Sequence, residues 1–186
     1  TTGAVNAGTG GLTLTTTGAG DDIVLKSALH GGTVKLASAA TILANTSTGK
    51  IVAATLTGSA HGSVGLNAAN TITNLGAFTT NNGAFALTNA AALTTTGTVN
   101  AGTKTIALTT TGTGHNLAIH SHLQTSGSAG TVTLVTAGNT TESSAGAIIT
   151  HKLNVKAKTG ITLTSAANAI GVIGIHTTTS GPNKIT

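Results

Sequence analysis

Large aliphatic residues recur in pairs two positions apart along the whole chain. The pairs are Leu12/Leu14, Ile23/Leu25, Val34/Leu36, Ile51/Ala53, Val64/Leu66, Phe85/Leu87, Ile106/Leu108, Leu117/Ile119, Val132/Leu134, Leu153/Val155 and Ile161/Leu163. Side chains two apart lie on one face of a strand, so each pair predicts a short strand with an aliphatic face. The intervening positions are often Thr, Ala or Lys, as in Leu12-Thr13-Leu14-Thr15. Many gaps between pairs are roughly ten residues, the spacing of short strands joined by turns. Nearly every gap holds Gly or Asn, and one of them is Thr17-Gly18-Ala19-Gly20-Asp21-Asp22. Those residues tolerate tight backbone geometry. Helices are hard to place, because Thr and Gly are poor helix formers and few charged residues are available for a polar face.

A longer order overlies the short one. The stretch Leu12–Leu25 returns as Ile106–Ile119, displaced by 94 residues, and Val5-Asn6-Ala7-Gly8 returns as Val99-Asn100-Ala101-Gly102. Farther along the displacement is 98, from Asn70, Ile72 and Gly76 to Asn168, Ile170 and Gly174. Residues 1–186 thus read as one domain of two diverged repeats, about 1–94 and 95–186, and such self-similarity marks a repeat architecture. A β-sandwich would need a few large core residues, often Trp or Tyr. An aliphatic core and a repeated unit favour a β-solenoid. At about 20 residues per coil and ~4.8 Å per stacked strand, it would have roughly nine coils and a length of about 45 Å. Leu12, Leu14, Ile23, Leu25, Ile106, Leu108, Leu117 and Ile119 are expected to fill its bore, with Phe78 and Phe85 stacked inside. Asn70, Asn100 and Asn168 are candidates for stacked turn ladders.

Composition narrows the function. Only 6% of residues are charged, against about a quarter in an ordinary domain. The mean hydropathy of +0.31 argues against disorder. The net charge of +5 comes from eight Lys opposed by Asp21, Asp22 and Glu142. With no Arg and two aromatic residues, the chain lacks what nucleic-acid binding uses. The absence of Cys removes thiol chemistry and suits an extracellular setting. No apolar run approaches the roughly 18 residues of a membrane helix, and the aromatic girdles of a membrane barrel cannot be built. The chain has no signal peptide and does not begin with Met, so it is expected to be processed or cut from something longer.

The stretch Asn70 to Gly102 resembles the repeat region of filamentous-haemagglutinin-type exoproteins, the adhesins secreted by two-partner systems. The repeat places of that family are filled by Asn70, Ile72, Leu75, Gly76, Phe78, Gly83, Phe85, Leu87 and Leu93. The resemblance implies a right-handed parallel β-helix serving as repeat shaft; the family's secretion domain, with its Asn-Pro-rich signature, has no counterpart. Its glycosylation in some members makes the sequons at Asn45 and Asn139, again 94 apart, candidate modification sites.

Catalytic chemistry is thinly represented. Polysaccharide cleavage on a β-helix needs convergent carboxylates or a cation site. Asp21 and Asp22 are neighbours that read as a turn capping its own backbone. His120 and His122 are the best metal pair if they share one strand face, with His115 nearby, but inward Leu117 and Ile119 turn them to the outside. His151, Lys152, Lys156 and Lys158 read either as a patch for acidic glycans or as lysines that keep a strand soluble and unpaired. The T-x-T pairs Thr13/Thr15, Thr55/Thr57, Thr71/Thr73, Thr131/Thr133 and Thr162/Thr164 look like those of ice-binding proteins, although Thr is also simply a good strand residue.

The expectation is a secreted or cell-surface, non-enzymatic rod without cofactor: an adhesin shaft or the subunit of an extracellular filament. Ice binding and carbohydrate binding or cleavage are the alternatives. Neither end carries a polar cap, so end-to-end contact with other copies or with flanking repeats is expected, and cell-surface glycans are candidate partners.

Overall fold

A computed structural model describes the chain at residues 1, 3–44, 47–177 and 183–185, with backbone alone for 175–177. Among the described residues there are nineteen strands and no helix. Every strand pairing is parallel, and the strands stack as a β-solenoid of about eight turns. The all-β solenoid expected from the alternating pattern is therefore present.

Stacking in register lines up inward residues of successive coils. One rank runs Ile23, Ile42, Val64, Phe85, Ile106, Val132, Leu153 and Ile173. A second runs Leu14, Leu36, Gly58, Phe78, Val99, Leu123 and Ile148. Coil length varies from 19 residues between Ile23 and Ile42 to 26 between Ile106 and Val132. The longest coil carries extra turn residues around Gly112, Gly114 and Gly127, all at positive φ. Coils longer than the assumed 20 residues explain why about eight turns form where roughly nine were expected.

Ile23, Leu25, Phe78, Phe85, Ile106, Leu108, Leu117 and Ile119 are all buried in one continuous core. Leu12 and Leu14 are only partly buried, because among the described residues their strand Gly11–Thr15 pairs on one side alone, with Leu29–Ser38. Ile173, in Ala169–Thr177, remains about half exposed for the same reason: among the described residues that strand pairs only with Ala147–Ala157, whereas Val172, level with Lys152, is exposed because it faces outward.

The two Phe rings meet at 4.9 Å between centroids, tilted by 52°. A narrow bore accepts so large a ring only where a neighbour shrinks. Phe78 lies level with Gly58 on the adjacent coil, and a Cβ on Gly58 would come within 2.8 Å of the Phe78 ring and collide with the Leu36 carbonyl.

Buried Asn residues tie coil to coil, in a pattern that differs from the expected ladder. Asn70 stacks on Asn89, not on Asn100 or Asn168. Asn70 Oδ1 accepts from Ile51 N–H at 2.7 Å, and its Nδ2 donates to Leu66, Ala68 and Thr88 carbonyls at 2.9–3.0 Å. Asn89 repeats the arrangement with Ile72 N–H at 2.9 Å, while the partly buried Asn168 accepts from Ile148 N–H at 2.7 Å and donates to Glu142 Oε2. Asn100 instead closes a local turn, accepting from Gly102 N–H at 2.9 Å, as Asn6 does from Gly8 at 2.8 Å. Both glycines are left-handed, with φ of 55° and 58°, which a side chain would strain.

Two outcomes follow. Gly58→Ala should destabilise by about 2 kcal/mol or more through overpacking. Adding Phe78→Leu should recover only part of that loss, because the clash with Leu36 is with backbone; a double-mutant cycle by urea unfolding reads the coupling. Asn70→Ala should cost about 2–3 kcal/mol by stranding buried backbone groups. Asn100→Ala, at a partly exposed turn, should cost about 1 kcal/mol or less on the same measurement.

Candidate functional surface

With the core sealed, functional chemistry must come from the outer ranks and the turns. One concavity with cationic side chains beside it lies on the face of Ala147–Ala157. Lys152, Asn154 and Lys156 alternate outward there with buried Leu153 and Val155. In register beside them stand Thr131, Thr133 and Val135 on one coil and Val172 and Gly174 on the other. The small side chains of the central rank, ending at Gly174, leave a shallow groove of about 350 Å³ lined by Thr133, Val135, Asn154 and Lys156. It offers a hydroxyl, an amide and an ammonium side by side, which suits an anionic or hydroxyl-rich ligand. His151 sits where two successive residues, His151 and Lys152, are exposed, and Lys158 is exposed just past the strand. Asn154 was missed in the sequence, although the parity that turns Lys152 and Lys156 outward turns it outward too.

A second groove, about 610 Å³, runs along the first four coils between Asn6, His30, Val52, Thr71 and Thr73. Its floor is formed by Gly31, Gly32 and Ala53, and no charged residue lines it.

His120 and His122 are both exposed, but they do not share a strand face. The strand Leu117–Ile119 ends before His120, and His122 begins the next strand, His122–Gln124. His115 is turned into its own loop, where Nδ1 donates to Thr111 O at 2.6 Å. Among the described residues, no three His, Asp or Glu side chains gather as a metal site would require.

The acids serve turns, and not in the way expected of Asp22. Asp22 caps the neighbouring coil rather than its own backbone: its Oδ1 accepts from Thr41 N–H at 2.8 Å and from Thr41 Oγ1 at 2.6 Å. These bonds, the hydroxyl's first, hold the Asp22 carboxyl below its ordinary pKa. Asp21 contributes its backbone carbonyl, which accepts from Thr16 Oγ1 at 2.8 Å, and its carboxylate lies over Gly18. Thr110, 94 residues on, makes the same bond to His115 O at 2.8 Å. Glu142 stands level with buried Ile119; its Oε2 accepts from Ser165 N–H and Asn168 Nδ2, both at 2.9 Å, while Oε1 is buried without a partner.

The T-x-T pairs do not stack into one array. Thr13 lies level with Lys35, Thr55 with Thr33 and Asn74, Thr71 with Val52, Thr131 with Thr105 and Lys152, and Thr162 with Thr141. Asn139 is exposed at the start of Asn139–Glu142, and its Oδ1 accepts from Thr159 Oγ1 at 2.7 Å. The other sequon residue, Asn45, lies outside the described residues.

Compared with family models, with curated proteins and with solved structures, the chain gives no significant match.

The Asp22 cap has a testable pH signature. Its carboxyl titrates lower in the folded chain than in the unfolded one, so its contribution is full above the unfolded-state value and is lost as pH falls through the folded-state value. Asp22→Asn should therefore flatten the fall in unfolding midpoint on acidification below the ordinary carboxylate range. An unchanged acid slope in the variant would assign that slope to other groups.

Proposed function

We propose that this protein is a secreted or cell-surface rod without enzymatic activity, acting as the shaft of a haemagglutinin-type adhesin or as the subunit of an extracellular filament. The observation that carries this reading is the unbroken eight-residue inward rank from Ile23 to Ile173. It commits the chain to a stiff wall around a dry core and leaves the sides as polar surface. The acids support the non-enzymatic part, since Asp22 and Glu142 are engaged in caps between coils. The half-covered Leu12 and Leu14 at one end and Ile173 at the other support contact with further coils, from another copy or from flanking repeats. Unpaired strand edges favour such addition. On the side, Lys152, Asn154 and Lys156 suit acidic glycans of a cell surface. The scattered T-x-T register speaks for this reading over ice binding, which would use a flat, regular array.

Electron microscopy and sedimentation of the full chain test the assembly. Linear particles that lengthen with concentration are expected; discrete monomers at every concentration, with no binding to cells, would overturn the proposal. Replacing Lys152 and Lys156 by Glu should abolish salt-sensitive retention on an immobilised acidic polysaccharide while leaving particle length unchanged.

A further inference from the structure

We infer that the turn at Asn82-Gly83 is a site of spontaneous covalent modification, in which the Asn82 side-chain amide is converted to a carboxylate through a cyclic imide with Gly83. The step Asn82-Gly83 is the single Asn-Gly in the chain. Gly83 is buried against the backbone of Gly62, but it has no side chain beside its nitrogen, and that N–H donates to no acceptor among the described residues. Asn82 is exposed, and it is the one non-glycine residue with positive φ, 65°, among those described.

The neighbouring coil holds the group that would be attacked. Asn82 Oδ1 accepts from Thr103 N–H at 3.0 Å and from Thr103 Oγ1 at 2.7 Å. Two donors on one carbonyl oxygen draw electron density from Cγ and stabilise negative charge as it forms there, as an oxyanion hole does. The backbone nitrogen of Gly83 attacks Cγ, and the N–Cγ bond closes a five-membered ring with the charge on Oδ1. The Cγ–Nδ2 bond then breaks, and Nδ2 leaves as ammonia, its added proton replacing through solvent the one given up by Gly83. Water opens the imide at either carbonyl, giving an aspartate or an isoaspartate linkage. The sum is amide plus water to acid plus ammonia, with no change of oxidation state.

The fold also accommodates the first of those products. Asp22 makes the same double contact with Thr41, N–H and hydroxyl to one carboxylate oxygen, so this kind of cap accepts a carboxylate. The isoaspartate product differs, because it adds a carbon to the main chain where Gly83 packs on the backbone of Gly62 with no room to spare. The turn thus acts as a slow chemical marker of the age of the rod, adding negative charge to a basic chain and, in the isoaspartate fraction, loosening one corner.

The test is incubation of the full folded chain at neutral to mildly alkaline pH, followed by fragment mass spectrometry. Mass gain should concentrate at Asn82, while the exposed Asn81 and Asn139 remain amides. Thr103→Val should slow the conversion severalfold, and Thr103→Ser, which keeps the hydroxyl, should leave it near the parental rate; circular dichroism checks that both keep their strands. Asn82→Asp should unfold at the parental midpoint. Equal conversion at Asn81 and Asn82, which needs no variant to observe, would overturn the inference. So would a parental or faster rate in folded Thr103→Val.

Discussion

Coils stack in register on one another, with local shifts only between Leu56 and Gly58 and between Leu66 and Asn70 among the described residues, and that constraint governs the rest of the molecule. Parallel stacking places each inward side chain directly above its counterpart, so the bore has nearly the same width at every level. A larger residue at one level must be offset beside it, as Gly58 offsets Phe78. A charge has no place in such a column, because nothing inside could pair with it. The one carboxylate that reaches an inward rank, Glu142, stands near its end and is tied to Ser165 and Asn168.

The faces are held by backbone ladders, and the corners by side chains that reach one coil away. Asp22, Asn82 and Asn116 each present Oδ1 to a backbone N–H of the following coil, on Thr41, Thr103 and Asn139. Thr16 and Thr110 each relay between two coils: the hydroxyl donates within its own turn and accepts from Ala39 or Ala137 of the next. Buried Asn70 and Asn89 and the partly buried Asn168 reach the other way, accepting from a backbone N–H of the preceding coil. A turn in this protein is therefore specified by two coils together, which is why Asn and Thr are so frequent at the bends.

The strands and their facing were legible in the sequence because period-two alternation is a local signal and the core is aliphatic. Leu108 and Thr109, or Leu153 and Lys152, can be oriented without knowing what they pack against. What could not be read was which coil position meets which. Asn70 and Asn100 look alike in the sequence, yet one is a buried tie and the other a local turn, and the difference lies in register. Gly58 gives no sign that it makes room for a ring twenty residues later. His120 and His122 have the spacing of strand neighbours, but a corner falls between them. The outer groove was half legible: parity turned the lysines outward, while its depth depends on small residues brought alongside from other coils.

The unequal coils have a mechanical meaning. Each coil is bonded only to those on either side, so a load along the axis passes in series through every ladder. A rod of this kind yields at its weakest junction rather than as a whole. The coil between Ile106 and Val132 devotes the largest share of its length to turns and carries three left-handed glycines. Turn residues add length without adding ladder bonds. Under tension that coil would give slack first, acting as a short extensible link in an otherwise stiff shaft.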